Sequence, residues 1–273
     1  VPDDQITIIE GDCLQLLPTL EPGSVDLVVT SPPYNQLGSR IGSGSGSGRM
    51  KGDRWIAKVA ARGYADDMPE PEYREWLSAV AAALAVVVRP GGSFFFNHKV
   101  RYRDGEMLHP LDYVRDWPGW AIRQEVIWDR GSGFAFNSGI FAPSDERLYW
   151  LVKPGGKWAW NAGASSMFTV WRVQPNNTAK GSIDGHPCPY PLEIPARCID
   201  AVTSPGDLVL DPFGGSGTTA VAAMKAGRRC VLIEKDPRYI PTIRRRVAEA
   251  RTPLLDLCGP AAPAPTLFDD ATA

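Results

Sequence analysis

The chain has 273 residues, 44% of them hydrophobic, and its 29 basic side chains are nearly balanced by 31 acidic ones, for a net charge of −2. That composition excludes a disordered or strongly basic polypeptide and suits one α/β domain carrying an insertion. No stretch of about 18 apolar residues marks a membrane span. Five cysteines without C-x-x-C spacing read as buried thiols rather than a zinc site or a disulfide framework. No metal site is expected. No signal-peptide pattern is visible, so a cytoplasmic location is expected.

In chain order, Gln5–Ile9 and Val25–Val29 read as short strands separated by a helical turn or two over Leu14–Leu20. Thr30-Ser31-Pro32-Pro33-Tyr34-Asn35 follows directly. Two prolines fix φ and remove two donors, leaving nearby carbonyls free to accept. Tyr34 offers a face on which a base can stack, worth roughly 1–3 kcal/mol. Carbonyl acceptors beside an aromatic plate suit a planar ring carrying an exocyclic amine; a plain turn after a buried strand is the other reading.

Residues 36–62 form a flexible, basic loop. It contains Gly42-Ser43-Gly44-Ser45-Gly46-Ser47-Gly48, and Arg40, Arg49, Lys51, Arg54, Lys58 and Arg62 against one acid, Asp53. Such a loop can neutralise phosphates. Pro71–Val88 reads as a helix stopped by Arg89-Pro90-Gly91-Gly92, and Ser93–Asn97 as a buried strand. Trp120–Trp128 and Arg147–Val152 read as further strands. Pro90 and Pro154 are each followed by two glycines, without a true repeat. Residues 153–185 are the least periodic, with Trp158, Trp160 and Trp171 read as core or wedge residues.

The second informative motif is Leu208-Val209-Leu210-Asp211-Pro212-Phe213-Gly214-Gly215-Ser216-Gly217-Thr218-Thr219-Ala220. A strand enters a glycine loop and then a helical stretch, whose N-terminal N–H groups and dipole suit a carboxylate. A further strand, Cys230–Ile233, ends in Glu234, an acid placed to hold a ribose diol. Gly215 to Ala220 also fits G-x-G-x-x-A, so a nicotinamide dinucleotide is equally compatible with the loop alone. Hydride transfer, however, has no use for the Pro-Pro-Tyr shelf. Pro253–Ala273 reads as a disordered Pro/Ala-rich tail.

Together, Thr30–Asn35 and Asp211–Thr219 resemble the catalytic and cofactor motifs of amino-group DNA methyltransferases that use S-adenosyl-L-methionine (SAM). Glu10-Gly11-Asp12-Cys13, Arg89–Phe96 and His186-Pro187-Cys188-Pro189-Tyr190-Pro191-Leu192-Glu193 resemble three further segments of that family. The likeness covers roughly residues 5–35, 70–100 and 185–250. The catalytic motif precedes the cofactor motif, as in the circularly permuted beta class.

The resemblance implies an α/β, Rossmann-like SAM-dependent methyltransferase sheet, circularly permuted, with an inserted target-recognition region. Residues 1–260 then form one domain, with 1–35 and 63–152 as the catalytic half, 153–185 as the target-recognition region and 186–252 as the SAM-binding half. It implies catalysis by Ser31, Pro32, Pro33 and Tyr34 on a flipped base in double-stranded DNA. SAM contacts fall to Asp12, Cys13, Thr30, His186, Asp211, Phe213, Gly215, Ser216, Thr218 and Glu234. Of these, Asp12 meets the adenine amine and Glu234 the ribose, while Asp211 orders the glycine loop. Gly185 stands where the family often has Lys. DNA contacts fall to Arg40, Arg49, Lys51, Arg54 and Arg172, with Lys157, Asn161, Gln174, Asn176, Asn177 and Lys180 as further base-reading candidates. Ser at the first shelf position points to cytosine N4, whereas Asp usually accompanies adenine N6; adenine stays open. A cognate restriction endonuclease and a dimer are the implied partners.

Overall fold

A computed structural model of the chain describes residues 5–36, 66–103, 106–131, 141–175 and 190–251. The strands β1 (Ile6–Glu10) and β2 (Val25–Thr30) flank a short helix, α1 (Cys13–Leu16). Asp12 caps α1 by accepting the Leu14 N–H at 2.9 Å. In α2 (Glu70–Val87), Tyr73, Leu77, Val80, Ala81, Leu84 and Val87 are buried. Their spacing of three or four places them on one face. Glu70 and Glu72 lie in the first turn, where the helix dipole favours acids.

The elements β3 (Val88–His98), β4 (Arg101–Arg103), β5 (Glu106–Leu108), α3 (Leu111–Val114), β6 (Ala121–Asp129), β7 (Asp145–Val152) and β8 (Val170–Arg172) follow. The chain closes with α4 (Glu193–Val202), β9 (Leu208–Asp211), α5 (Thr218–Lys225), β10 (Arg229–Glu234) and α6 (Ile240–Arg251).

Among the described residues, eight strands form one sheet in the order β1-β10-β9-β2-β3-β7-β6-β8. The first five run parallel, β7 is antiparallel to both β3 and β6, and β8 runs parallel to β6. Strands β9 and β10, late in the sequence, therefore lie between β1 and β2. Alternation along the strands builds two cores. Leu27, Val29, Phe95, Leu148 and Trp150 face α4, α5 and α6, whereas Val28, Phe94, Phe96, Tyr149 and Leu151 face α2. Because β2 is buried on both sides, its sequence reads as a nearly continuous apolar run.

One expectation needs correction. Arg89–Gly92 is not a loop between helix and strand: β3 begins at Val88 and takes up the extra residues as an irregularity opposite Val25 and Leu27. The two Pro-Gly-Gly segments lie against each other. Gly91 donates to the Lys153 carbonyl at 2.9 Å, and a Cβ on Gly91 would lie 2.4 Å from the Lys157 carbonyl oxygen. The two turns interlock, and glycine is what lets them touch. The aperiodic segment that starts at residue 153 also contributes structure. It supplies β8, and its Ala164, Trp171 and Val173 enter the core.

Candidate active site

Thr30, at the end of β2, is fully buried, and its hydroxyl donates to Asp211 Oδ1 at 2.6 Å. Asp211 closes β9 and accepts twice more, from Thr219 Oγ1 (2.6 Å) and from the Phe213 N–H (3.0 Å). This carboxylate thus ties the catalytic strand to the glycine loop and to the first turn of α5. Burial, only partly offset by these bonds, pushes its carboxyl up to about 7. Asp211 thus bonds directly to the Phe213 amide of the glycine loop, and the Thr30 side chain reaches that loop through Asp211.

Beyond Thr30 the chain forms the Ser-Pro-Pro-Tyr shelf. Asn35 has φ 55°, a left-handed conformation that Asn tolerates better than most residues. Asp66 accepts from the Asn35 and Gln36 amides, and Asn35 Nδ2 donates to the Met68 carbonyl at 2.8 Å. Burial raises the Asp66 carboxyl to about 6. The Tyr73 hydroxyl supports the shelf from α2, 2.6 Å from the Pro33 carbonyl and 2.8 Å from His98 Nε2. Burial holds the His98 ring neutral, and its Nδ1 lies 2.8 Å from the Lys99 carbonyl. The Tyr34 ring leans on this imidazole, centroids 4.6 Å apart.

The hydroxyl of Tyr34 enters a polar cluster that the sequence reading missed. It lies 2.7 Å from Ser31 Oγ, 2.9 Å from Glu146 Oε2 and 2.5 Å from Asn97 Nδ2. Asn97 Nδ2 also donates to Glu146 Oε2 at 3.1 Å, and Arg130 pairs with Glu146 Oε1 at 3.3 Å. One signal for Asn97 was available: like Ser31, it is a polar residue ending an apolar strand, here Phe94-Phe95-Phe96. Glu146 carried none, because it sits at the start of β7, one residue before the strand expected at Arg147.

On the cofactor side, Gly214 donates to the Ile233 carbonyl (2.8 Å) and Gly215 to Glu234 Oε2 (2.6 Å). Gly215 and Gly217 have φ 53° and 79°, so this path into α5 requires glycine. Glu234 also accepts from the Asp236 N–H at 2.7 Å, and burial raises its carboxyl above the usual range. Asp12 stands beside it, because Glu10 and Glu234 are register partners in β1 and β10; its Oδ2 pairs with Lys235 Nζ at 2.9 Å. The Phe213 ring meets Trp76 of α2 at 5.4 Å. Glycine loop, helix start and two carboxylates thus collect at the carboxyl ends of β1, β9 and β10, the edge where open α/β sheets take ligands. This donor set fits a nucleoside bearing an amino acid tail.

Other assignments fare differently. Ser216 and Thr218 are buried, their hydroxyls 3.1 Å apart and both in contact with Arg246 of α6 (3.0 and 3.1 Å). The Cys13 side chain lies in the core, its thiol pushed up to about 12 by burial, so its backbone is what it can offer a ligand. The Asn161 amide donates to the Asp200 and Thr203 carbonyls (2.6 and 2.8 Å), closing the end of α4. Arg172 is exposed and pairs with Asp129 at 2.8 Å; Lys157 and Gln174 are exposed too. Trp171 is core, whereas Trp158 and Trp160 stay partly exposed. His186, Arg40, Arg49, Lys51, Arg54, Asn176, Asn177 and Lys180 lie outside the described residues, as does the tail from 253. Among the described residues no helix is long and apolar enough to cross a membrane.

Comparison with known proteins agrees with this geometry. The DNA methylase family of N6/N4 type matches residues 25–245. The type II methyltransferase M.BglII from Bacillus subtilis is 27% identical over 85% of this chain, which spans 66% of that protein's length. The type II methyltransferase M.ScaI from Streptomyces caespitosus is 27% identical over 90% of this chain and 83% of its own length. In three dimensions the chain resembles the PvuII DNA methyltransferase, described as cytosine-N4-specific, with a TM-score of 0.69 at 21% identity over 89% of this chain and 86% of that one. A Thermus thermophilus protein, provisionally assigned as a DNA modification methylase and solved with SAM, has a TM-score of 0.61 at 25% identity, covering 89% of this chain and 93% of that one. The chain belongs to the N6/N4 DNA methylase family, the SAM-dependent amino-group methyltransferases, in the circularly permuted form of the fold.

Proposed function

We propose that this protein methylates the exocyclic N4 of a cytosine flipped out of duplex DNA. The observation that carries the reading is Ser31 at the end of β2, its hydroxyl beside Tyr34 on a shelf held by Asp66, Tyr73 and His98. Bound SAM supplies the methyl group on a sulfonium. Flipping costs a few kcal/mol, and the Tyr34 ring is placed to receive the extruded base. Ser31 Oγ and the Pro32 carbonyl accept from its amine, turning the nitrogen lone pair toward the cofactor. Catalysis is then orientation plus charge stabilisation. Asp12 and Glu234 hold the adenosine part, and Phe213 and the Gly215 backbone line the methionine end.

A neutral Ser at the first shelf position supports cytosine over adenine, as does the cytosine-N4 specificity of the PvuII enzyme. The basic loop with Arg40, Arg49, Lys51 and Arg54 supplies phosphate contacts, and Arg172 stands on the exposed side of β8. The type II names of the relatives support a partner restriction endonuclease. Nucleosides from methylation-deficient bacterial DNA, treated with the protein and SAM and read by mass spectrometry, test the proposal. N4-methylcytosine is expected. N6-methyladenine would overturn the base assignment and leave the methyltransferase chemistry standing.

A further inference from the structure

Methylation of an exocyclic amine leaves a positive charge on its nitrogen, and an N–H proton must then depart. Ser31 is the hydroxyl placed against that amine, and it does not stand alone. Its Oγ lies 2.7 Å from Tyr34 OH, which lies 2.9 Å from Glu146 Oε2. The direction of these bonds follows from their ends. A carboxylate only accepts. Asn97 Nδ2 donates both to Glu146 Oε2 (3.1 Å) and to the Tyr34 oxygen (2.5 Å). The Tyr34 proton therefore points to Glu146, the Ser31 proton points to the Tyr34 oxygen, and Ser31 keeps lone pairs for the amine.

We propose that Glu146 is the terminal proton acceptor of methyl transfer, reached through the hydroxyls of Ser31 and Tyr34. The proposal rests on the amino-group methyltransferase reading and holds for either base. As the N–C bond forms, the electron pair of the broken S–C bond stays on sulfur. The amine proton passes to Ser31 Oγ, the Ser31 proton to the Tyr34 oxygen, and the Tyr34 proton to Glu146 Oε2. Both hydroxyls are regenerated, and Glu146 becomes a neutral acid that later returns its proton to solvent. Arg130, from the segment after β6, pairs with Glu146 Oε1 at 3.3 Å and leaves Oε2 to the Tyr34 side. Among the described residues Asn97 of β3 also faces it and, being neutral, cannot take the proton. Glu146 thus acts through Tyr34, without touching the base.

The test is single-turnover methyl transfer from labelled SAM to methylation-deficient bacterial DNA, across pH, with SAM and DNA affinities measured in parallel. Glu146→Gln is expected to slow transfer about a hundredfold, as for loss of a general base, with both affinities within about threefold of wild type. The acidic limb of the wild-type pH profile should vanish, and Glu146→Asp should restore part of the rate. Tyr34→Phe should lose as much, and the double variant no more than either single one, since both interrupt one path. A Glu146→Gln rate within threefold of wild type, a retained acidic limb, or multiplying losses in the double variant would overturn the proposal. If Glu146→Gln does not fold, Tyr34→Phe decides: an unchanged rate refutes the relay. An inert wild type would instead overturn the activity reading.

Discussion

Asp211 accepts from Thr30, Thr219 and the Phe213 amide, so a single carboxylate joins the end of β2 to the loop and first turn of α5. Burial raises it to about 7, against about 3.9 in an unfolded chain. The folded protein thus binds this proton more tightly. The stability it contributes is complete below about pH 4 and is lost as pH rises through about 7. Asp66, raised to about 6, acts in the same sense. Calorimetric melting at pH 5 and pH 8 should show the wild type losing stability toward pH 8, and Asp211→Asn losing less. Equal losses would refute the assignment. Glu234 makes charge-assisted bonds of a kind worth about 1.5–3 kcal/mol. Glu234→Ala should therefore weaken SAM binding about ten- to a hundredfold by titration calorimetry while DNA affinity holds; an unchanged SAM affinity would remove Glu234 from the cofactor site. At this scale the sequence exposed the residues that follow apolar runs, Ser31, Asp211 and Glu234, because polarity after a buried strand is a local signal. Asn97 carried the same signal, but its meeting with Glu146 depends on β3 pairing with β7 in space, which no local window contains.

Elements were legible where periodicity is strong and blurred where packing overrides propensity. The helix over Glu70–Val87 and the buried strands were readable to within a residue or two at most ends. The start of β3 was not, because Arg89-Pro90-Gly91-Gly92 carries every mark of a turn yet is drawn into the sheet beside β2. The reason is the second Pro-Gly-Gly turn. At Gly91 (φ 76°) a side chain would meet the Lys157 carbonyl at 2.4 Å, whereas at Gly23 (φ 71°) there is nothing within 4 Å. Gly23→Ala should cost only the left-handed penalty of about 1–2 kcal/mol. Gly91→Ala should cost more, because backbone must move as well. Urea unfolding of the two variants makes the comparison, and equal costs would mean the interlock is loose.

The whole sheet departs from the chain's own order: β9 and β10 stand between β1 and β2, and β7, β6 and β8 lie beyond β3. Motif order announced this arrangement, whereas the eighth strand, built from the aperiodic segment, could not be seen until Trp171 found its place in the core. A net charge of −2 over the molecule leaves DNA attraction to local groups. Replacing Arg40, Arg49, Lys51 and Arg54 together by Gln should weaken DNA binding and flatten its salt dependence by about 0.9 in log–log slope per lost phosphate contact. A slope unchanged in fluorescence anisotropy would clear the loop of that role. The same interleaving has a consequence during synthesis. At about 5–20 residues per second, a ribosome needs on the order of 10–40 s to travel from Thr30 to Leu208. Over that interval β2 gains β3 on one side only after residue 98 is made and keeps an open edge on the other, and β1 lacks its partner, β10. An apolar edge left bare for so long invites pairing with other nascent chains until the last strands emerge.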